Sequence, residues 1–233
     1  AAGLGPLSHG TDGAGSIRIP SALSGGFGLK PSFGRVSKWP TSNIWASRSH
    51  NGPITRTVSD AALFLSAMAG PDSRDPTSID NQPDDYVDAI VEPLPALSDL
   101  RVAWSVDFGY AAVDPQVRRL AQQAAQRFID FGCHVDAVNP GWDDPREGAA
   151  VAWYVSMAAG LGQSYDQHPQ AFEPTLAEMI EAGRRISGEE HGRTLIARTA
   201  FYQQVHEFFE GYDLLLTPQM PMGAWPVDQW PSE

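Results

Sequence analysis

Residues 10–20 read Gly10-Thr11-Asp12-Gly13-Ala14-Gly15-Ser16-Ile17-Arg18-Ile19-Pro20. Small residues fill positions 13, 14 and 15 directly before a serine, so backbone N–H groups there can come close to a ligand oxygen. Amides converging beside a hydroxyl make an oxyanion hole next to a nucleophile, which is what acyl transfer requires. A plain glycine-rich turn uses the same residues, and composition alone does not separate the two. Other glycine motifs fit less well. A Walker loop needs Gly-Lys followed by Ser or Thr, and Lys30 is followed by Pro31. A dinucleotide fingerprint built on Gly13 and Gly15 needs a glycine where Arg18 stands. The Gly-x-Ser-x-Gly elbow of lipases is broken by Ile17-Arg18 after Ser16.

Outward from this stretch, residues 1–56 are dense in Gly, Ser and Pro and read as strands and tight loops. A helix follows, capped by Thr57 or Ser59 and ended by Gly70-Pro71. Residues 71–98 carry Pro71, Pro76, Pro83, Pro93 and Pro95 among many Asp. They read as a solvated acidic connection with one helical turn around Asp84–Val91. Asp72 and Asp75 lack the spacing of a calcium loop. Leu100–Val106 is a short apolar strand. Asp114 is an N-cap with Pro115 at the first helical position, and Val117, Leu120, Ala121, Ala124, Phe128 and Phe131 recur at helical spacing. Gly132 closes that helix, and Cys133–Val138 alternates as a second strand. Strand, helix and strand make a βαβ unit with parallel pairing. Helices are expected near 148–163, 174–186 and 189–210, then a buried strand at Asp213–Leu216. The tail is aperiodic, and its Trp225 and Trp230 read as cover for apolar surface.

The chain has 233 residues, 42% of them hydrophobic and 19% charged, which is globular rather than disordered composition. Its net charge of −12 argues against nucleic acid or an anionic membrane as partner. No apolar run is long enough to span a bilayer. The single cysteine, Cys133, excludes an intrachain disulfide framework and fits a reducing, cytoplasmic setting. Of 16 basic residues only Lys30 and Lys38 are lysines.

Residues 10–36, from Gly10 through Ser16, Gly25-Gly26-Phe27-Gly28-Leu29-Lys30-Pro31 and on to Val36, resemble the core of the amidase signature family. Gly52-Pro53-Ile54-Thr55-Arg56-Thr57-Val58-Ser59-Asp60-Ala61-Ala62 resembles the next block of that family, and Asp75-Pro76 and Tyr212–Pro218 are similar to later ones. The resemblance is dense over residues 1–76 and sparse beyond. It implies an α/β amidase-signature fold, a mixed twisted sheet flanked by helices on both faces. It also implies one partial domain over 1–233, with a signature core at 1–76 and a βαβ unit plus a variable helical substrate region at 77–233.

The same resemblance implies hydrolysis of a small-molecule amide by a Ser–Ser–Lys triad, with Ser16 as nucleophile. The amides of Gly13, Ala14, Gly15 and Ser16 would form the oxyanion hole, and Thr11, Asp12 and Arg18 would support the site. Most members carry Gly where Ala14 stands; a methyl group there leaves the N–H intact. The catalytic lysine and the bridging serine of the family lie upstream of the nucleophile, and here no lysine and only Ser8 precede Ser16. Lys30 matches a block that does not hold the catalytic lysine, and Lys38 reads as a surface lysine. The chain is therefore expected to be a truncated portion of a longer enzyme, inactive alone and completed by an N-terminal segment of the same protein.

Three alternatives stay open. A glutamine-dependent amidotransferase subunit of the same family would need partner chains and tRNA. A degenerate binding module or a non-catalytic fragment would do no chemistry. A homodimer is compatible with any of them. No cofactor is implied. His206-Glu207 lacks a second histidine at zinc-helix spacing, and no metal site is expected. Trp153 and Tyr154, on a helix of the variable region, are candidate substrate contacts, though aromatic packing explains them too.

Overall fold

The strand β1 (Ser8–Asp12) runs directly into the glycine turn and pairs antiparallel with β3 (His50–Thr55), with Asp12 opposite His50. The short β2 (Phe27–Gly28) pairs on the other side of β3, giving the order β1-β3-β2. The computed structural model describes residues 2–40, 48–81, 85–91, 97–227 and 229. Trp230 and Asp84 lie outside these residues.

The sequence stretch 1–56 holds a helix that its composition hides. After Ser16 the chain forms α1 (Arg18–Ser24), ended by Gly25 at φ 68° with its N–H bonded to the carbonyl of Ser21. Pro20 is accommodated because the first turn of a helix needs no N–H donors. Pro20 followed by Gly25-Gly26 is a start-and-stop signature that could have revealed this element. Ile17, just before α1, is fully buried and anchors the turn to the core.

α2 (Val58–Met68) is capped by the Thr57 hydroxyl, which accepts the Asp60 amide at 3.1 Å. It buries Ala61, Ala62 and Leu65. A one-turn helix, α3, spans Asp88–Val91. The acidic connection is less solvated than its composition suggests. Asp75 is buried, accepting from the amides of Lys38 and Thr77 and the Thr77 hydroxyl. Asp72 is bound by Arg74.

The βαβ unit is as the sequence reads it. β4 (Arg101–Trp104), α4 (Pro115–Asp130) and β5 (His134–Ala137) follow in order, with β4 and β5 parallel. The Asp114 carboxylate caps α4, accepting from Gln116 at 2.7 Å and Val117 at 3.3 Å. The buried face of α4 is narrower than expected: Ala125 is buried while Leu120 and Phe131 stay exposed. β6 (Leu214–Leu216) joins the other side of β4 in parallel, so the order is β5-β4-β6. This strand is not buried as expected. It sits on the sheet edge, which leaves Leu214 exposed. The α/β class holds, but among the described residues the strands divide into two three-stranded sheets, one antiparallel and one parallel, rather than one mixed sheet.

Three helices complete the chain: α5 (Arg146–Gln167), α6 (Pro174–Arg185) and α7 (Gly188–Gly211). A side chain at Gly183 of α6 would run into the carbonyl of Tyr154 and the Cβ of Ala158 on α5. Ile180 of α6 is fully buried nearby in sequence. Gly183→Ala should therefore push the helices apart and cost about 1–3 kcal/mol. Thermal denaturation checks this, and an unchanged Tm would contradict the close approach.

Candidate active site

The turn after β1 is built around one carboxylate. Asp12 is buried, and its two oxygens accept from the amides of Gly15 at 2.7 Å, Ile17 at 3.3 Å and Arg18 at 3.4 Å. The Arg18 guanidinium closes the arrangement with a two-pronged contact, Nε at 2.8 Å and Nη2 at 2.9 Å. This geometry is the strong form of the Arg–carboxylate pair. Burial alone would raise the Asp12 carboxyl. The Arg18 charge and the amides of Gly15 and Ile17 outweigh it and hold the pKa at about 2. Arg18 is pushed up in turn by its bond to Asp12. Of the residues expected to support the site, Asp12 and Arg18 are thus joined directly. Thr11 is the neighbouring strand residue, opposite Asn51.

Gly15 adopts φ 127°, where side chains are disfavoured, and a Cβ there would lie 2.5 Å from Cδ1 of Ile19. Gly15→Ala should destabilise the turn by about 1–3 kcal/mol. A variant with unchanged Tm would contradict that.

This wrapping exposes Ser16 while Ile17 and Asp12 are buried. Because Asp12 takes the Gly15 amide, that N–H is not available to a ligand, which narrows the expected set of four. Among the described residues, no protein acceptor meets the amides of Gly13, Ala14 or Ser16. No hydrogen bond joins the Ser16 hydroxyl to any described lysine, histidine or carboxylate.

His50 and Lys30, neither of which the sequence assigned to the site, come near Asp12. The Nδ1 of His50 lies 3.2 Å from the carbonyl oxygen of Asp12. Burial and the Lys30 charge lower its pKa. Lys30 is half-buried, and burial followed by the Arg18 charge lowers its pKa as well. The register of β3 against β1 sets His50 opposite Asp12, and Lys30 follows β2 where the Leu29 N–H bonds to the Pro53 carbonyl of β3, so only strand pairing could have shown it. Lys38 is not on the surface as expected: it is buried, with its ammonium 4.1 Å from the centre of the Phe33 ring.

A cavity of ≈ 580 Å³ opens between α5 and α7, with Arg48 on its rim. Trp153 and Tyr154 do not line it; on that stretch of α5 the wall is Ala149, Ala152 and Ser156. The backbone of Tyr154 instead meets α6, at Gly183. Sequence spacing places both aromatics on α5 but does not say which face of it opens onto the cavity. Among the described residues, no group of three or more His, Cys, Asp or Glu is placed to hold a metal ion. No described helix is long and apolar enough to cross a membrane.

Known proteins resemble this chain in sequence and in fold. The chain is 36% identical over 235 residues to an acylamidase of Rhodococcus erythropolis, covering 99% of this chain and 48% of that protein. It is 33% identical over 252 residues to a glutamyl-tRNA(Gln) amidotransferase component of Thermus thermophilus, covering 97% of this chain and 52% of that one. A bacterial aryl acylamidase of the amidase signature family superposes with a TM-score of 0.83 at 27% identity, over 94% of this chain and 46% of that chain. The chain therefore spans about half the length of the curated relatives it matches. The family model named Amidase matches residues 1–233, and on that match and the 36% identity the chain belongs to the amidase family.

Proposed function

We propose that the protein hydrolyses a carboxylic amide of a small molecule through an acyl-enzyme on Ser16. The Ser16 Oγ attacks the carbonyl carbon and gives up its proton to a base. The C–N bond then breaks, the amine leaves with a proton, and water cleaves the resulting ester. The observation that carries this reading is the exposed serine beside three uncommitted amides, those of Gly13, Ala14 and Ser16. They would receive the oxyanion, while Asp12 and Arg18 hold the turn in place. Thr11 would help by keeping Asp12 at the end of β1.

A serine hydroxyl is a weak nucleophile without a base. The base and its bridging hydroxyl are assigned to a further segment of the same protein, as the family resemblance implies. A fluorophosphonate probe applied to the intact protein should label Ser16, as read by peptide mass. Absent labelling together with amide turnover that survives Ser16→Ala would overturn the proposal.

The second reading, a glutamine-dependent amidotransferase component, is favoured by the 33% identity to the Thermus thermophilus protein. The net charge of −12 weighs against direct tRNA contact. Glutaminase activity that appears only with added partner chains would select it. A chain with no amide or glutamine turnover in its intact form would instead be a non-catalytic module. We propose a cytoplasmic protein, with a homodimer as the assembly to test by light scattering.

A further inference from the structure

Asp12 is held at both ends. Its carboxylate fixes the far limb of the turn through the amides of Gly15, Ile17 and Arg18. Its carbonyl oxygen is met by the side chain of His50, with Nδ1 at 3.2 Å. A carbonyl can only accept, so Nδ1 carries the proton and donates it. His50 reaches that oxygen because it is the first residue of β3 and stands opposite Asp12, the last of β1.

The carbonyl of Asp12 shares a peptide plane with the N–H of Gly13, and that peptide is trans. In a trans peptide the two groups point in opposite directions, so a contact that fixes one fixes the other. A hydrogen bond on the carbonyl also polarises the N–H of the same peptide and makes it a better donor. The Gly13 N–H is one of the three near Ser16 that no protein acceptor meets among the described residues. Space is open around it, since a Cβ at Gly13 would meet nothing within 4 Å.

The His50 ring is itself braced. It is half-buried and meets the Phe33 ring edge-on, with centroids 5.4 Å apart. Phe33 in turn lies under the ammonium of the buried Lys38, at 4.1 Å. Burial and then the Lys30 charge lower the pKa of His50 below the ordinary 6.5, against the pull of the Asp12 and Arg48 carbonyls and the Asp12 carboxylate. A ring that is neutral at pH 7 has one N–H to give, and the Asp12 carbonyl lies within its reach.

We infer that His50 is a positioning residue for amide hydrolysis: it holds the Asp12–Gly13 peptide so that the Gly13 N–H faces the oxyanion formed at Ser16. The inference rests on the function assigned to Ser16 above. His50 touches no reacting atom and acts through Gly13.

Two substitutions in the intact protein separate this role from packing. His50→Phe keeps a ring against Phe33 and removes the donor. His50→Asn removes the ring and keeps a donor, because its side-chain N–H₂ stands as many bonds from the backbone as Nδ1 does. With assays run well below both Tm values, kcat of His50→Phe should fall about tenfold or more at nearly constant KM, since outright loss of an oxyanion donor costs roughly 10²–10³. His50→Asn should return kcat to within about threefold of the parent, even if its Tm is the lower of the two. A kcat within about threefold of the parent in His50→Phe, a loss confined to KM, or a kcat that follows Tm across both variants would overturn the inference. Nuclear magnetic resonance of the protein labelled with ¹⁵N-glycine gives a readout free of turnover. The Gly13 amide signal is identified by its loss in Gly13→Ala, which the open space allows to fold. That signal should move in His50→Phe and return towards its parent position in His50→Asn. A signal that stays in place in His50→Phe overturns the contact. Turnover that survives Ser16→Ala would defeat the assignment of Ser16, and with it the use of Gly13, whereas an unmoved signal with Ser16 essential defeats the role of His50 alone.

Discussion

Replacing Ser16 with alanine in the intact protein should lower kcat for amide hydrolysis by about 10³–10⁶-fold, with little change in folding. Losses of that size follow removal of an attacking hydroxyl, because the remaining oxyanion donors and binding contacts give only residual acceleration. The fold should not notice, since Ser16 is exposed and its side chain makes no hydrogen bond among the described residues. A Tm within about 1 °C of the parent is expected, as for a surface change of less than 0.5 kcal/mol. The two readings together separate a nucleophile from a structural serine. A turn serine would leave kcat intact, and a serine needed for folding would lower Tm.

Asp12→Ala should have the largest effect on stability. It removes the acceptor of three inward amides, those of Gly15, Ile17 and Arg18, and the partner of the Arg18 guanidinium. Breaking a buried pair costs about 3–5 kcal/mol. Arg18 is 37% exposed, so it can recover some hydration, and about 3 kcal/mol is expected. That corresponds to a Tm drop of roughly 6–12 °C in a domain of this size. Turnover should fall with it, because the amides beside Ser16 lose their fixed direction. Asp12→Asn keeps the shape and one acceptor oxygen, and should cost about half as much. A Tm within 2 °C of the parent in Asp12→Ala would show that the carboxylate does not organise the turn.

The same group makes stability depend on pH. The Asp12 carboxyl is held at about 2 against an ordinary 3.8. A lowered folded value means that its contribution is fully present above pH 3.8 and is lost as pH falls through about 2. Partial exposure of Arg18 limits that contribution to about 1–2 kcal/mol. Acid titrations of parent and Asp12→Asn should differ in this window and run parallel above pH 5.

Much of the fold was legible because its signals are local. The Asp114-Pro115 start and the regular apolar spacing placed α4 and its flanking strands without any tertiary knowledge. α1 was missed because the Gly-, Ser- and Pro-rich composition around it favours loops. Its stability comes from Ile17 packing in the core and from the Gly25 stop, not from intrinsic propensity. The burial of Lys38 and Asp75 was misread for a similar reason. A charged residue in a loop is ordinarily solvated, and only the fold brings the Phe33 ring and the Lys38 amide to these two.

The order of residues by itself determined the turn around Ser16: glycines that free the backbone, one serine, and a carboxylate and guanidinium six residues apart. Such elements are set by backbone freedom and short-range hydrogen bonding, which a linear sequence carries. The same local turn decides which amides stay uncommitted, since Asp12, three residues before Gly15, claims that amide and leaves those of Gly13, Ala14 and Ser16. Only the tertiary structure placed His50 opposite Asp12, through the register of β3 on β1, and Lys30 near them, through the pairing of β2 with β3. It also decided that Ala152 rather than Trp153 or Tyr154 faces the cavity. Which face of a helix opens onto space depends on how closely its neighbours approach, and that distance is fixed between elements far apart in the chain.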